Sequence, residues 1–172
     1  LSYAVGTHGL DQSCAPSMQL QAGTDYEIRN IRAALEKGYA VLVTDYQGYT
    51  TGATPTYLAG ESQAHAALDI FRAASQIPRA GIDAEAPGAV WGFSQGGQTA
   101  AWVGQIADDY APELDLVGVA SGGTPADFPV VADEEVNKLQ GWDGKYKGAL
   151  LNPGVFVYYV KVIFVDDSSQ EE

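Results

Sequence analysis

Apolar residues recur along the chain at two spacings, one typical of helices and the other typical of buried strands. Residues 25–37 place four apolar side chains on one helical face, and Gly38 stands where that helix should end. Residues 39–43 follow as a nearly continuous apolar run, which predicts a parallel strand covered on both faces. After a polar loop, residues 59–76 return to helical spacing. This half of the chain therefore predicts helix, strand and helix in turn.

The alternation continues through the middle of the chain. Residues 89–91 are a short apolar run that predicts a strand, and the helix predicted after them extends to about residue 109 with a face of small side chains. Residues 114–120 predict the next strand. Strands that alternate with helices are typical of a doubly wound, mostly parallel sheet. The sequence therefore predicts an α/β fold.

The composition and net charge of the chain exclude several classes of protein and of binding partner. Hydrophobic residues make up 46% of the 172 positions and charged residues only 18%, which supports a packed core and excludes disorder. Nine basic against 22 acidic residues give a net charge of −13. That charge argues against nucleic acid and against an anionic membrane surface as partners. Residues 154–165, the longest apolar stretch, are too short for the roughly 18 residues of a membrane-spanning helix.

One short motif carries candidate chemistry. Gly92-x-Ser94-x-Gly96 is the pattern of a nucleophile elbow, in which a serine occupies a sharp turn between a strand and a helix. The turn is strained and crowded, so the flanking positions favour glycine. The N–H of Gln95 would then stand at a helix N-terminus, where negative charge is favoured. The bare pattern also fits a purely structural glycine-rich turn, and its place between a predicted strand and a predicted helix favours the catalytic interpretation.

A serine nucleophile needs a base and an acid, and in this fold both follow the serine along the chain. The only histidines, His8 and His65, precede Ser94. His65 is expected on a solvated helix face, and His8 is expected to form hydrogen bonds within its own loop. Asp166 and Asp167 follow an apolar run at residues 155–165, where a triad acid could stand, but they also begin an acidic tail. The triad is thus incomplete in these 172 residues.

Several sequence blocks resemble the secretory lipase family of extracellular yeast and actinobacterial lipases. The resemblance covers about residues 5–127. It rests on residues 6–10 (GTHGL), 14–17 (CAPS), 38–49 (GYAV through TDYQGY), 92–97 (GFSQGG), 110–114 (YAPEL) and 120–125 (ASGGTP). These blocks together are much more specific than the elbow alone. Residues 1–129 are therefore assigned to an α/β-hydrolase core, and residues 130–172 to a divergent C-terminal segment that is not a separate domain.

The resemblance implies roles for particular residues. Ser94 would be the nucleophile, while Gln95 and Asp45 match the two oxyanion-hole positions. Cys14 would pair with a cysteine farther along the family's chain. The substrates would be triacylglycerols or other esters, hydrolysed by a secreted enzyme. From the residues themselves we expect no metal ion, since the acidic pairs lack the ligand spacing of a calcium loop, and no stable membrane insertion. A monomer without a cofactor is also expected. The family's cap, acid and histidine lie downstream of residues 120–125, so the chain is expected to be the N-terminal part of such a lipase.

Two other interpretations remain open at this stage. A cutinase also carries Gly-x-Ser-Gln-Gly, although the disulfides and the acid and histidine after the serine that it would need do not occur in this sequence. The second alternative is a non-catalytic domain of α/β-hydrolase fold that binds an apolar ligand or a partner. Because no histidine follows Ser94, the 172 residues alone are expected to show little or no ester turnover.

Overall fold

The computed structural model describes residues 1–125, 145–146 and 149–150. The described residues up to Thr124 form one compact unit. In a second unit, Lys145–Tyr146 (β4) pairs antiparallel with Ala149–Leu150 (β5). The predicted boundary near residue 130 and the predicted strand at residues 155–165, with the two aspartates after it, lie outside the described residues.

A parallel sheet organises the larger unit. Its strands are Ser2–Ala4 (β1), Gly88–Phe93 (β2) and Leu116–Gly122 (β3), in the order β1-β2-β3 with both pairs parallel. Trp91 stands opposite Tyr3 on one side and opposite Ala120 on the other. The predicted α/β class with a parallel sheet is confirmed.

Four helices flank this sheet: Pro16–Ala22 (α1), Ile28–Glu36 (α2), Gly60–Ser75 (α3) and Gln95–Tyr110 (α4). The last three lie within a few residues of the predicted helices. Helix α1 was not predicted, although the sequence marks both of its ends. Pro16 occupies its first position, and Gly23 ends it in the left-handed conformation at a φ of 70°.

The prediction of a strand at residues 39–43 is wrong. This segment makes a single parallel bridge, between Leu42 and Ser2, and lies on the open side of β1. Leu42 donates to the Leu1 oxygen and accepts from the Tyr3 N–H, both at 2.8 Å. Tyr39 is 54% exposed, so the expected cover on both faces is missing at this end. Because β1 offers so few partner groups, the segment does not extend into a full strand.

The two faces of the sheet bury separate apolar clusters because alternate residues of a strand point to opposite sides. Ala4 and Val90 pack with the apolar stripes of α3 and α4. Tyr3 packs on the other face with Ile31 of α2, and its ring meets Trp91 edge to face with centroids 5.2 Å apart. The sheet is therefore covered on both faces, as a doubly wound fold requires.

Buried tyrosines give this fold a predicted response to alkali. Burial, which outweighs every other influence, raises the pKa of Tyr3 and Tyr46 above the ordinary value of 10.0. Folding favours the neutral hydroxyl of both tyrosines over the charged tyrosinate. The contribution of these hydroxyls to stability is therefore complete below pH 10 and is lost as the pH rises through the elevated pKa values of Tyr3 and Tyr46. We expect the ultraviolet absorbance of tyrosinate to rise in two steps, and Tyr46→Phe to reduce the later one. A single step at the ordinary tyrosine pH would contradict this expectation.

Candidate active site

Ser94 stands at the turn between β2 and α4 in a conformation that serine rarely adopts. Its φ is 56° and its ψ is −119°, and its N–H donates to the Gly122 oxygen of the neighbouring strand at 2.9 Å. Such backbone conformations cost about 1–3 kcal/mol and persist only where the surroundings impose them. The sharp turn that the sequence predicts at Ser94 is therefore present.

Glycines make this turn sterically possible. A Cβ atom on Gly96 would lie 1.8 Å from the Ala4 oxygen, and one on Gly92 would lie 2.2 Å from the Gly96 oxygen. One turn into the helix, a Cβ on Gly97 would lie 2.1 Å from the Gly122 oxygen. These three oxygens all belong to the backbone, so they cannot move aside as the end of a flexible side chain could. These glycines let α4 start in direct contact with the ends of β1 and β3.

The first residue of α4 presents its N–H beside the serine. Gln95 follows Ser94 directly, and the first N–H groups of a helix have no partner within the helix. This N–H therefore stands at the positive end of a 16-residue helix. The Gln95 side chain is only 1% exposed, and among the described residues neither of its amide atoms has a hydrogen-bond partner.

Backbone strain clusters around the elbow, which the sequence did not indicate. Besides Ser94, the described non-glycine residues with positive φ are Tyr46 and Leu58, both at 58°. The Leu58 oxygen accepts from Gln98 Nε2 in the first turn of α4 at 3.1 Å. The Tyr46 hydroxyl donates to the oxygen of Val5, just after β1, at 3.1 Å. Both strained loop residues are thus tied to the elements that shape the elbow.

The loop after β1 lies against the elbow. A Cβ on Gly6 would lie 3.4 Å from the Phe93 oxygen, and Gly96 touches the end of β1. Parallel neighbouring strands bring their carboxyl ends to the same edge of a sheet, so residues 6–9 and Ser94 share that edge. Exposed apolar and aromatic side chains occur on this loop, on the elbow and on segments that contact the loop: Leu10, Tyr26, Tyr57 and Phe93.

The side chain of Asp45 is bonded to the start of α1. Its two carboxylate oxygens accept from the N–H and the hydroxyl of Ser17, at 2.7 and 2.6 Å, at the start of α1. It follows the segment that pairs with the far side of β1, so β1 lies between that segment and the elbow strand β2. Gln95 directly follows Ser94, and sheet order places the loop after β1 beside the elbow strand. The match of Asp45 to an oxyanion-hole position stays a prediction.

Neither histidine is presented to the serine. His8 Nδ1 lies 2.9 Å from the Gly6 oxygen and Nε2 lies 3.0 Å from Asp25 Oδ2, with the side chain 2% exposed. The expected hydrogen bonding within this loop is thus present. His65 stacks on Tyr110 with ring centroids 3.7 Å apart and lines a groove beside α3. Both imidazoles are therefore held by groups other than Ser94.

Cys14, the only cysteine of the sequence, is a free and partly exposed thiol. Its sulfur packs against Gly9, whose φ is 107° and where a Cβ would lie 2.6 Å from Sγ. The disulfide that the resemblance implies remains a prediction, since it requires a second cysteine. In the structure this thiol packs against the loop after β1.

The part of the chain that the structure describes also contains a cavity that is separate from the serine site. A cavity of about 270 Å³ lies at the opposite end of the strands, lined by Leu1, Gly88 and Leu116, and so does not belong to the serine site. No three His, Cys, Asp or Glu side chains among these residues are grouped as metal ligands would be. None of the described helices has the length and apolar character needed to cross a bilayer.

Known proteins show the same combination of sequence and fold. The family model described as "Secretory lipase" matches residues 15–150. A probable inactive lipase of Mycobacterium tuberculosis is 34% identical over 137 residues, which cover 74% of this chain and 29% of that protein. A secreted triacylglycerol lipase of Malassezia globosa is 33% identical over 119 residues, covering 64% of this chain and 25% of that lipase.

A solved structure gives the same result in three dimensions. Candida antarctica lipase A in its closed state matches with a TM-score of 0.60 and 32% sequence identity, over 72% of this chain and 30% of that lipase. The chain therefore spans about a quarter to a third of the length of the lipases that it matches. The residues that the family model matches, 15–150, include the elbow at Ser94.

Proposed function

This chain belongs to the secretory lipase family, and from that premise we propose that it carries the nucleophile of a carboxylic-ester hydrolase of lipase type. Ser94 would attack the acyl carbon of an ester, so that an Oγ–carbon bond forms and the alcohol leaves with a proton. Water would then release the carboxylic acid from the acyl-enzyme. The Ser94 backbone, strained at the junction of β2 and α4, is the observation that carries the proposal.

The oxyanion of this reaction needs N–H donors that are in place before the charge develops. We propose the Gln95 N–H as one donor, because it follows the nucleophile and opens α4. In this type of fold the second donor comes from the loop after the strand beside the elbow strand. Of the two strands beside β2, β1 is the one that precedes the elbow in the chain, so we assign the second donor to the loop at residues 6–9 in preference to Asp45.

The substrate class follows from the family and from the surface beside the serine. Phe93 is 58% exposed directly before Ser94, and Leu10 is 58% exposed on the loop after β1. An acyl chain would gain from burying such surface. We therefore propose a triacylglycerol or another lipid ester as the substrate, hydrolysed by a secreted enzyme. A net charge of −13 favours solubility in that setting. Because the chain belongs to the secretory lipase family, we no longer consider the cutinase alternative.

The base that accepts the Ser94 proton is not supplied by either histidine of this chain in its described position. His8 is bonded to Gly6 and Asp25, and His65 is stacked on Tyr110. A hydrolase without its base keeps roughly 10³–10⁴ of rate acceleration over water from the oxyanion hole and binding. Ser94 should therefore be modified slowly by strong electrophiles even in this chain.

Slow covalent labelling of Ser94 is the test of this proposal. We expect a fluorophosphonate, supplied in excess for hours with added imidazole as external base, to add one phosphonyl group with loss of fluoride. Intact-mass and peptide analysis should place the group on Ser94. Ser94→Ala should remove the adduct, whereas Ser75→Ala, at the end of α3, should not. A folded chain that acquires no adduct would contradict the proposal.

A second candidate is a domain that binds lipid esters without turning them over. It is favoured by the commitment of both histidines to other groups and by the Mycobacterium tuberculosis relative, which is named a probable inactive lipase. The same experiment separates the two, because a binding domain would retain an apolar ester without any covalent change at Ser94.

A further inference from the structure

A histidine and two carboxylates are buried together beneath the loop after β1, and the proposed reaction does not use them. We call His8, Asp25 and Glu27 the His8 cluster; their side chains are 2%, 1% and 6% exposed. His8 Nε2 lies 3.0 Å from Asp25, and Nδ1 lies 4.0 Å from Glu27. Among the described residues His8 is the only basic side chain paired with either carboxylate. Burying ionisable side chains costs desolvation free energy unless each of them has a partner, so each contact within the His8 cluster matters for its stability.

The cluster holds both backbone polar groups of Gly6. Glu27 Oε2 accepts from the Gly6 N–H at 2.7 Å, and the Gly6 oxygen lies 2.9 Å from His8 Nδ1. A carbonyl oxygen only accepts, so Nδ1 carries a hydrogen and donates it. Nε2 faces a carboxylate oxygen of Asp25, so both ring nitrogens lie beside oxygen atoms. The imidazole therefore links the loop backbone to a buried acid.

Other groups fix each end of the cluster. Asp25 Oδ1 accepts from the Glu27 N–H at 2.8 Å, and Glu27 Oε1 accepts from the Tyr3 hydroxyl at 2.9 Å. Tyr26 stacks on the His8 ring with centroids 4.6 Å apart, and its hydroxyl donates to the Thr7 oxygen at 3.0 Å. The ring is thus held at both nitrogens and on one face.

These bonds determine where the loop's N–H groups point. In a trans peptide the C=O and the N–H point in opposite directions. His8 holds the Gly6 C=O toward the cluster, so the Thr7 N–H of the same peptide points away from it. Tyr26 holds the Thr7 C=O, which likewise orients the His8 N–H. Among the described residues, no hydrogen bond is made by either N–H group, so both are available to a ligand.

We propose that the His8 side chain is a positioning residue, which holds the Gly6 carbonyl so that the N–H groups of Thr7 and His8 face the oxyanion of the acyl intermediate. This inference rests on the proposed function of Ser94. The imidazole acts through the backbone and does not touch the substrate. Its effect on the reaction therefore depends on the Nδ1 hydrogen bond to Gly6 more than on the Nε2 contact with Asp25.

Two amide substitutions separate these contributions in the full chain. In His8→Asn the Nδ2 group can replace Nδ1 on the Gly6 oxygen, whereas in His8→Gln the Nε2 group can reach only toward Asp25. Both variants replace the imidazole ring by a neutral amide, so a role of the ring in stability alone would affect them alike. We expect His8→Gln to slow fluorophosphonate labelling of Ser94 at least about tenfold, since losing one oxyanion donor costs about 10²–10³ in rate. His8→Asn should stay within about threefold of the unsubstituted chain, which is well below the cost of a lost donor.

His65→Ala, which changes the other histidine, is the matched control and should label at the unsubstituted rate. Circular dichroism of each variant establishes that it is folded. Equal rates for His8→Asn and His8→Gln would overturn the inference and leave the nucleophile intact. Absence of an adduct on the unsubstituted chain would overturn the proposed function itself, and this inference with it.

A measurement on the unsubstituted chain covers the case in which a variant does not fold. With ¹⁵N-labelled histidine, nuclear magnetic resonance should show a slowly exchanging proton on His8 Nδ1, protected by its bond to the Gly6 oxygen. An Nδ1 that carries no hydrogen would overturn the inference, whatever labelling rates the variants show. This reading needs no reaction at Ser94, so it tests the His8 contact separately from the proposed function.

Discussion

The 172-residue chain is expected to turn over p-nitrophenyl esters no faster than a serine hydrolase from which the triad has been removed. Losing the triad as a unit costs on the order of 10⁶ in kcat. The two imidazoles of the chain are bound to Asp25 and Gly6 in one case and stacked on Tyr110 in the other. We therefore expect acylation of Ser94 to be slow at most, since in the described residues neither imidazole is placed to accept its proton or to activate water for the second step.

Steady-state hydrolysis measured against the Ser94→Ala variant checks this expectation. The two proteins should differ by a small factor at most, and added imidazole should raise only the rate of the chain that keeps Ser94. Robust turnover that disappears in Ser94→Ala would contradict the expectation. It would then point to His8 after release from Asp25, or to a base provided by a second copy of the chain.

Gly96→Ala is expected to prevent the chain from folding stably. The added methyl would lie 1.8 Å from the Ala4 oxygen and 2.9 Å from the Val5 oxygen, so β1 and α4 would have to separate. Inserting a methylene into a well-packed core, whose side chains can shift, costs about 1–3 kcal/mol. Two backbone segments cannot relax as side chains do, so we expect a loss of about 4 kcal/mol or more, which is exceptional for one substitution. Because the free energy of unfolding of a domain is only about 5–15 kcal/mol, such a loss would remove much or most of it.

Gly118→Ala is the matched control, because it adds the same methyl in β3 where no atom lies within 4 Å. This variant should unfold in urea at nearly the same concentration as the unsubstituted chain, while Gly96→Ala should be insoluble or unfold far earlier. If both variants unfolded alike, the close packing of α4 on β1 would be wrong.

Much of the fold was predictable because its signals are local. Helices α2, α3 and α4 follow from apolar positions at helical spacing, and the elbow follows from glycines around Ser94 at the end of an apolar run. These features depend on neighbours in the sequence, which a reader of the sequence can see. The predicted class, a parallel sheet wound with helices, then follows from their order.

The rest depends on which segments become neighbours in space. Residues 39–43 have the composition of a strand but lie at the open edge of the sheet, beside a β1 of only three residues. Asp45 was assigned to the oxyanion site by resemblance alone, whereas sheet order brings residues 6–9 to the elbow. The pairing of His8 with Asp25 and Glu27 joins residues 17 and 19 positions apart, at no spacing that a motif describes.

The glycines around Ser94 bear on how such sequences are interpreted in genomes. Gly92, Gly96 and Gly97 are required because backbone atoms of β1, β3 and α4 meet there, whatever the serine does. A lineage that abandoned ester hydrolysis would still need all three to fold, and selection for folding alone would keep the motif readable long after the chemistry had gone. The motif therefore records ancestry and packing, whereas the presence of a histidine within reach of the serine decides whether a descendant is still an enzyme.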